Sequence, residues 1–125
     1  MNIKLRPSDR AFSQYIRMRD RACQRCGSAV KFNSQGLPVS HQASHFQGRG
    51  KEATRFDPEN VDTLCGGCHQ YLTANPYEHV AWQIKKKGKR AVDAIVLRSN
   101  GYKKRDDKME VLIWRQAIKD LTSSN

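Results

Sequence analysis

The sequence predicts an α+β fold that is mostly helical, with a small β part held by a metal. Three observations carry this expectation. Apolar residues recur at helical spacing in Ser8–Arg21, Tyr77–Ile84 and Val111–Leu121. Strand-like runs are short and few, around Leu37–Phe46 and Asn60–Leu64. The four cysteines fall in two Cys-x-x-Cys pairs, Cys23/Cys26 and Cys65/Cys68, and none lies outside them. One such turn places two sulfurs on one side of an ion at about 2.3 Å, and two turns close a tetrahedron with no open position. A structural Zn²⁺ on Cys23, Cys26, Cys65 and Cys68 is the expected staple, with an iron–sulfur cluster as the alternative. A redox role would require a thioredoxin-like strand pattern, which is missing.

The elements follow in order. Pro7 and Ser8 open a helix to about Arg21, with Phe12, Tyr15 and Ile16 on its apolar stripe. Arg10, Gln14, Arg17 and Arg21 share the opposite face, which could meet phosphate. Cys23–Gly27 is a tight turn, Leu37–Phe46 a short strand, and Gln47–Glu59 a long loop in which Asp57 before Pro58 is a local cap. Asn60–Leu64 is a second strand entering the Cys65–Cys68 turn, and a helix from His69 stops before Asn75-Pro76. Asn75-Pro76-Tyr77-Glu78 starts another helix, read with Tyr77, Val80, Ala81 and Ile84 inward. Short helices over Lys89–Arg98 and from Asp107, carrying Trp114, complete the chain. One domain over 1–125 is expected, in three parts: a basic helix (1–22), a zinc-pinned core (23–75) and a basic helical extension (76–125).

Charge narrows the function. In 125 residues, Lys plus Arg is 23 and Asp plus Glu is 12, a net charge of +11 that suits a polyanionic partner, above all nucleic acid. Lys85, Lys86, Lys87, Lys89 and Arg90 surround Gly88, and Lys103, Lys104, Arg105 and Lys108 form a second group. Such clusters contact phosphates and carry little sequence information. No apolar run approaches a membrane span of about 20 residues. Met1–Arg10 is charged without an apolar stretch, so no secretory signal is expected and the reducing cytoplasm is the expected location.

Between and just after the cysteine turns lie His41, His45, Asn60 and His69. The order His45, Asn60, then His69 directly after Cys68 is the pattern of the HNH nucleases. Ser44-His45-Phe46-Gln47-Gly48-Arg49, Thr54-Arg55-Phe56-Asp57-Pro58-Glu59-Asn60 and Leu64-Cys65-Gly66-Gly67-Cys68-His69 resemble the phage-encoded HNH endonucleases that include the lambda NinG (Rap) recombination enzyme. Thr73-Ala74-Asn75 and Lys86–Asp93 extend the likeness. The resemblance implies a ββα-metal, treble-clef-like core and a single HNH nuclease domain with a catalytic Mg²⁺ or Mn²⁺. It implies that His45 is the general base, that Asn60 holds the loop or touches the metal, and that His69 ligates the metal. These roles suit phosphodiester hydrolysis, which needs a base near neutrality and a cation beside the scissile phosphate.

Many HNH sequences place Asp or His directly before the base, where this chain has Ser44. His41 is the substitute that strand alternation offers, but four residues of strand span roughly 13 Å, so it reaches the centre only through a bulge. Asp62 is a further candidate oxygen ligand, and Arg49 and Arg55 flank the glycine-rich loop as candidate phosphate clamps. The resemblance implies a metal-dependent HNH endonuclease on branched DNA intermediates of phage recombination, leaving 5′-phosphate and 3′-hydroxyl ends. The alternatives are a less selective HNH nicking enzyme and a non-catalytic zinc-knuckle module that only binds nucleic acid. Cutting both strands of a junction would favour a homodimer, with the last helix near Trp114 as a candidate interface.

Overall fold

The computed structural model describes residues 3–123. Its first helix, α1 (Pro7–Asp20), begins with Pro at a position where the missing N–H costs nothing. The Asp9 carboxylate reaches back to accept the Arg6 N–H at 2.8 Å. Arg21 ends the helix at φ 60°, in the left-handed region. The chain then folds back on itself through a bridge between Ala22 and Ala29, with the Cys23–Gly27 turn at its tip. The Gln24 N–H donates to the Thr63 carbonyl at 2.9 Å and so ties this turn to the sheet.

The sheet has two antiparallel strands, β1 (Gln42–His45) and β2 (Val61–Leu64), in register Gln42 with Leu64, Ser44 with Asp62 and His45 with Val61. Between them run α2 (Glu52–Arg55) and a single 3₁₀ turn at Pro58–Asn60, capped by the Asp57 side chain on the Glu59 N–H. Four helices follow: α3 (Gly66–Ala74), α4 (Pro76–Lys87), α5 (Lys89–Ser99) and α6 (Asp107–Ser123). The architecture is thus mixed α+β and mostly helical. Among the described residues, no helix is long and apolar enough to cross a membrane.

Two apolar clusters hold the fold. Ala11, Phe12 and Ile16 of α1 meet Ala43, Phe56, Val61 and Trp114 in the larger one. Phe12 packs edge-on against Phe56 and Trp114, at ring centroid distances of 5.7 and 4.6 Å. Each buried ring of this kind contributes about 1.5–3 kcal/mol relative to exposure. The smaller cluster joins Cys23 and Cys68 to Leu64 and Leu72. Alongside the first cluster lies an ion pair, in which Arg55 donates from Nε and Nη2 to the Asp9 carboxylate at 3.0 and 2.6 Å. Burial alone would raise the Asp9 carboxyl, but hydrogen bonds from Arg55 and the Arg6 N–H hold it below its ordinary value.

Several sequence expectations shift. The first strand starts at Gln42, not Leu37, because His41 sits at φ 66° and Val39 is exposed. The loop after it holds two short helical turns, and α3 begins at Gly66 with Cys65 as its cap. On α4, Tyr77, Val80, Ala81 and Ile84 stay exposed, Val80 and Ile84 at the wall of an open cavity, and Gln83 is the residue fully buried. The reason lies beneath the helix, where the buried Asp62 carboxylate takes a 2.9 Å hydrogen bond from the Gln83 amide and ion pairs from Lys86 and Lys87 at 3.2 and 2.9 Å. A buried charge outweighs an apolar stripe in setting the rotation of α4. Trp114 is buried against Phe12 and Tyr15, so it lies on the face of α6 that packs on α1 and not on an open face.

Replacing Arg55 by Met should cost about 3–5 kcal/mol in urea unfolding, since it strands a buried carboxylate. The Asp9 contribution is complete above the ordinary carboxylate range near pH 4 and is lost as pH falls through the lowered folded-state pKa. Acid titration of wild-type stability should therefore show a loss in that window that the Met variant lacks.

Candidate functional site

The four cysteines meet. The sulfurs of Cys23, Cys26, Cys65 and Cys68 all lie within 4.8 Å of one another, and Cys26 and Cys65 are 3.7 Å apart. A tetrahedron with bonds of about 2.3 Å requires edges of roughly 3.8 Å, so the spacing fits. In each pair the first sulfur accepts the N–H of the second cysteine, Cys23 from Cys26 and Cys65 from Cys68, both at 3.4 Å. Arg25 donates from Nη1 to the Cys68 sulfur at 3.4 Å. The Ser28 hydroxyl and backbone lower the Cys26 thiol to about 6, whereas burial pushes Cys68 up to about 12. Four crowded sulfurs with one inclined to ionise are a donor set that a soft cation completes. The cluster is compatible with a structural metal ion such as zinc. It is the one such grouping of His, Cys, Asp or Glu among the described residues.

His45 ends β1 and packs against Phe12. Its Nε2 lies 2.9 Å from the Arg55 carbonyl oxygen. A carbonyl only accepts, so Nε2 carries the proton and Nδ1 keeps its lone pair. Burial and the nearby Arg49 charge push this imidazole down to about 4, below the near-neutral range expected of the base, which makes it a weaker base that is unprotonated at neutral pH. Asn60 is fully buried, and its amide is used at both ends. Its oxygen accepts the Gln47 N–H at 2.7 Å, and its nitrogen donates to the carbonyls of Gln47 and Thr54 at 2.9 and 3.1 Å. Asn60 therefore pins the loop that begins beside His45, and its buried oxygen is engaged by the Gln47 N–H.

His69 follows Cys68 on α3, one residue past the cysteine turn. Its Nδ1 is bonded to Gln42 Oε1, which leaves the Nε2 lone pair open. Burial and Arg49 lower its pKa as well. His45 lines a cavity of about 650 Å³ and His69 a neighbouring one of about 430 Å³, and Thr73 lines both. Ser44 is buried at the larger cavity.

Other expected site residues lie elsewhere. His41 precedes the strand and bonds Ser28 through Nε2 and Ser40 through Nδ1, at the rim of the first cysteine turn. Its left-handed backbone breaks the alternation that would have aligned it with His45. Arg55 is buried on Asp9 and presents no fork to a phosphate, while Arg49 is half-buried with its charge near both histidines. Lys86 and Lys87 hold Asp62, which removes Asp62 as an oxygen ligand. Lys85, Lys89 and Arg90 are exposed.

Sequence reasoning passed over His79, which lines the His45 cavity and packs on Phe46 at 5.2 Å. Its Nε2 lies 3.3 Å from the Gln83 amide nitrogen, linking it to buried Asp62. It also passed over Asp9 and Gln42, which hold the groups that orient His45 and His69. An acid in the first turn of a helix and a glutamine at a strand start look ordinary, so no local signal marks either.

The cysteine geometry predicts one bound metal ion per chain by emission spectrometry. Cys26→Ser/Cys65→Ser should lose it, and the thermal midpoint should fall by about 10 °C or more.

A family model described as Bacteriophage Lambda NinG protein matches residues 5–123. No curated protein and no solved structure matches the chain. With a match over nearly the whole sequence, on a fold that gathers the four cysteines and sets His69 directly behind them, the chain belongs to the NinG family.

Proposed function

We propose that this protein is an HNH-type endonuclease that hydrolyses phosphodiester bonds in DNA, with branched recombination intermediates as its substrates. The observation that carries the reading is the fixed tautomer of His45. His45 Nε2 donates to the Arg55 carbonyl at 2.9 Å, so Nδ1 is the basic atom of a residue that lines the cavity. Nδ1 takes a proton from a water molecule as the water oxygen attacks phosphorus, and the bond to the 3′ oxygen breaks. Arg49, whose charge acts on both His45 and His69, supplies positive potential for the phosphate. Asn60 keeps the Gln47–Thr54 loop, and with it the Arg55 carbonyl, in place.

For a catalytic Mg²⁺ or Mn²⁺, hard cations that ordinarily take carboxylate oxygen, the residues assigned here offer a single imidazole, and the four cysteines are the one metal-ligand grouping among the described residues. The His69 Nε2 is open, and such ions take most of their coordination from phosphate oxygens and water. When bound, the ion would stabilise charge on the phosphate and on the leaving oxygen. The cysteine cluster in this reading holds Zn²⁺ as a staple and takes no part in chemistry. The exposed Lys85, Lys89 and Arg90 contact phosphates of the duplex arms.

The test is cleavage of matched linear, forked and four-way-junction DNA with Mg²⁺, Mn²⁺ or EDTA. Wild type should cut in a metal-dependent manner, and His45→Ala should lose about 10²–10⁴-fold in rate. A wild type that binds all three substrates and cuts none would make the protein a binding module. Because the His45 pKa is lowered to about 4, the rate should hold level from pH 8 to 5 and fall only as pH approaches 4. An acid limb near 6.5 would contradict this environment for the base.

A further inference from the structure

A groove of about 530 Å³ runs along α1, and neither His45 nor His69 lines it. Its wall is crowded with arginine: Arg6, Arg10 and Arg17 from α1 and its approach, Arg49 from the loop after β1, and Arg115 from α6. Asp9 is the one carboxylate in the wall, and its oxygens already accept from Arg55 and from the Arg6 N–H. Glu52 neutralises Arg6 at 2.8 Å. Arg17 donates only to neutral carbonyls, those of Ser13, Pro38 and Ser40, so its charge is uncompensated. Arg10 and Arg115 are exposed and have no side-chain hydrogen bond or ion pair among the described residues. Arg49 comes no closer than 3.8 Å to Asp9, and its Nε is buried without a hydrogen-bond partner.

Four arginines without a hydrogen-bonded counter-charge therefore face one concave surface. Like charges gathered in a cleft repel one another and focus positive potential, and an anion relieves both. The forked guanidinium suits phosphate oxygens. Arg10 and Arg17 lie about 10 Å apart along the helix, farther than one phosphate reaches, so a row of phosphates fits where a single anion does not. Arg49 belongs to this wall, and its charge also acts on His45 and His69.

We infer that this groove seats the phosphodiester backbone of a nucleic acid strand and leads it past Arg49 to His45. The inference rests on the nucleic-acid reading above and adds a second binding surface, separate from the lysines around Gly88. Binding of a labelled DNA duplex, followed by fluorescence anisotropy across a salt series without added Mg²⁺ or Mn²⁺, tests it apart from catalysis. Arg10→Ala/Arg115→Ala alters two exposed side chains, and its thermal midpoint should match wild type. Its affinity should fall at least about tenfold, and the slope of log K against log salt should shrink by about 1.8, at roughly 0.9 for each phosphate that is no longer neutralised. Arg10→Lys/Arg115→Lys should keep most of the slope. An unchanged slope and affinity in the Ala variant would overturn the groove while leaving nucleic-acid binding intact. Pyrophosphate binding that the Ala variant loses, with duplex affinity unchanged, would also overturn it by assigning the groove to a small anion. A wild type with no affinity for the duplex would overturn the nucleic-acid reading itself.

Discussion

The ion pair between Asp9 and Arg55 is the constraint on which the candidate site depends. It joins residues on α1 and α2 in a buried position. Desolvating two charges is costly, and the cost is offset only when the hydrogen-bonding capacity of both is filled. Here it is nearly filled, because Asp9 also caps α1 and Arg55 also donates to the carbonyls of Lys4 and Arg49. The main-chain carbonyl of that same Arg55 fixes the His45 imidazole. A charge pair that could pass for simple stabilisation thus sets which nitrogen of His45 is basic.

The same logic sorts the cations of a very basic chain. Some are structural: Arg55 on Asp9, Lys86 and Lys87 on Asp62, Arg105 beside Glu110. Others are left without a buried counter-charge, notably Arg10, Arg115, Lys85 and Arg90. Burial decides the division, because a half-buried lysine beside a carboxylate is held by a stronger field than a solvated one. The net charge of +11 describes the whole chain, yet the positive potential at the surface comes chiefly from the second group.

The cysteine cluster organises the other half of the site. Its first turn is tied to β2 through Gln24 and Thr63, and its second turn caps α3 through the Cys65 sulfur. His69 follows Cys68 directly, so the geometry of the cluster fixes where that imidazole emerges. Gln42, at the start of β1, then sets its tautomer across the gap between strand and helix.

Local pattern determined much of this protein. The paired cysteines, the apolar stripe of Phe12 and Ile16, the start signals at Pro7 and Pro76 and the turn at Asp57 were all legible, because each depends on residues a few positions apart. The motifs Ser44–Arg49, Thr54–Asn60 and Leu64–His69 also marked the family to which the chain belongs. Tertiary structure alone decided the rest. Arg55 lies inside and Arg49 at the groove, Asn60 pins a loop, His41 stands apart from His45, and α4 turns Gln83 inward in place of its apolar stripe. These outcomes follow from where unpaired charges and amides are buried, and that depends on partners tens of residues distant. Sequence spacing names the residues able to do chemistry, but desolvation decides which of them hold the fold and which are free to act.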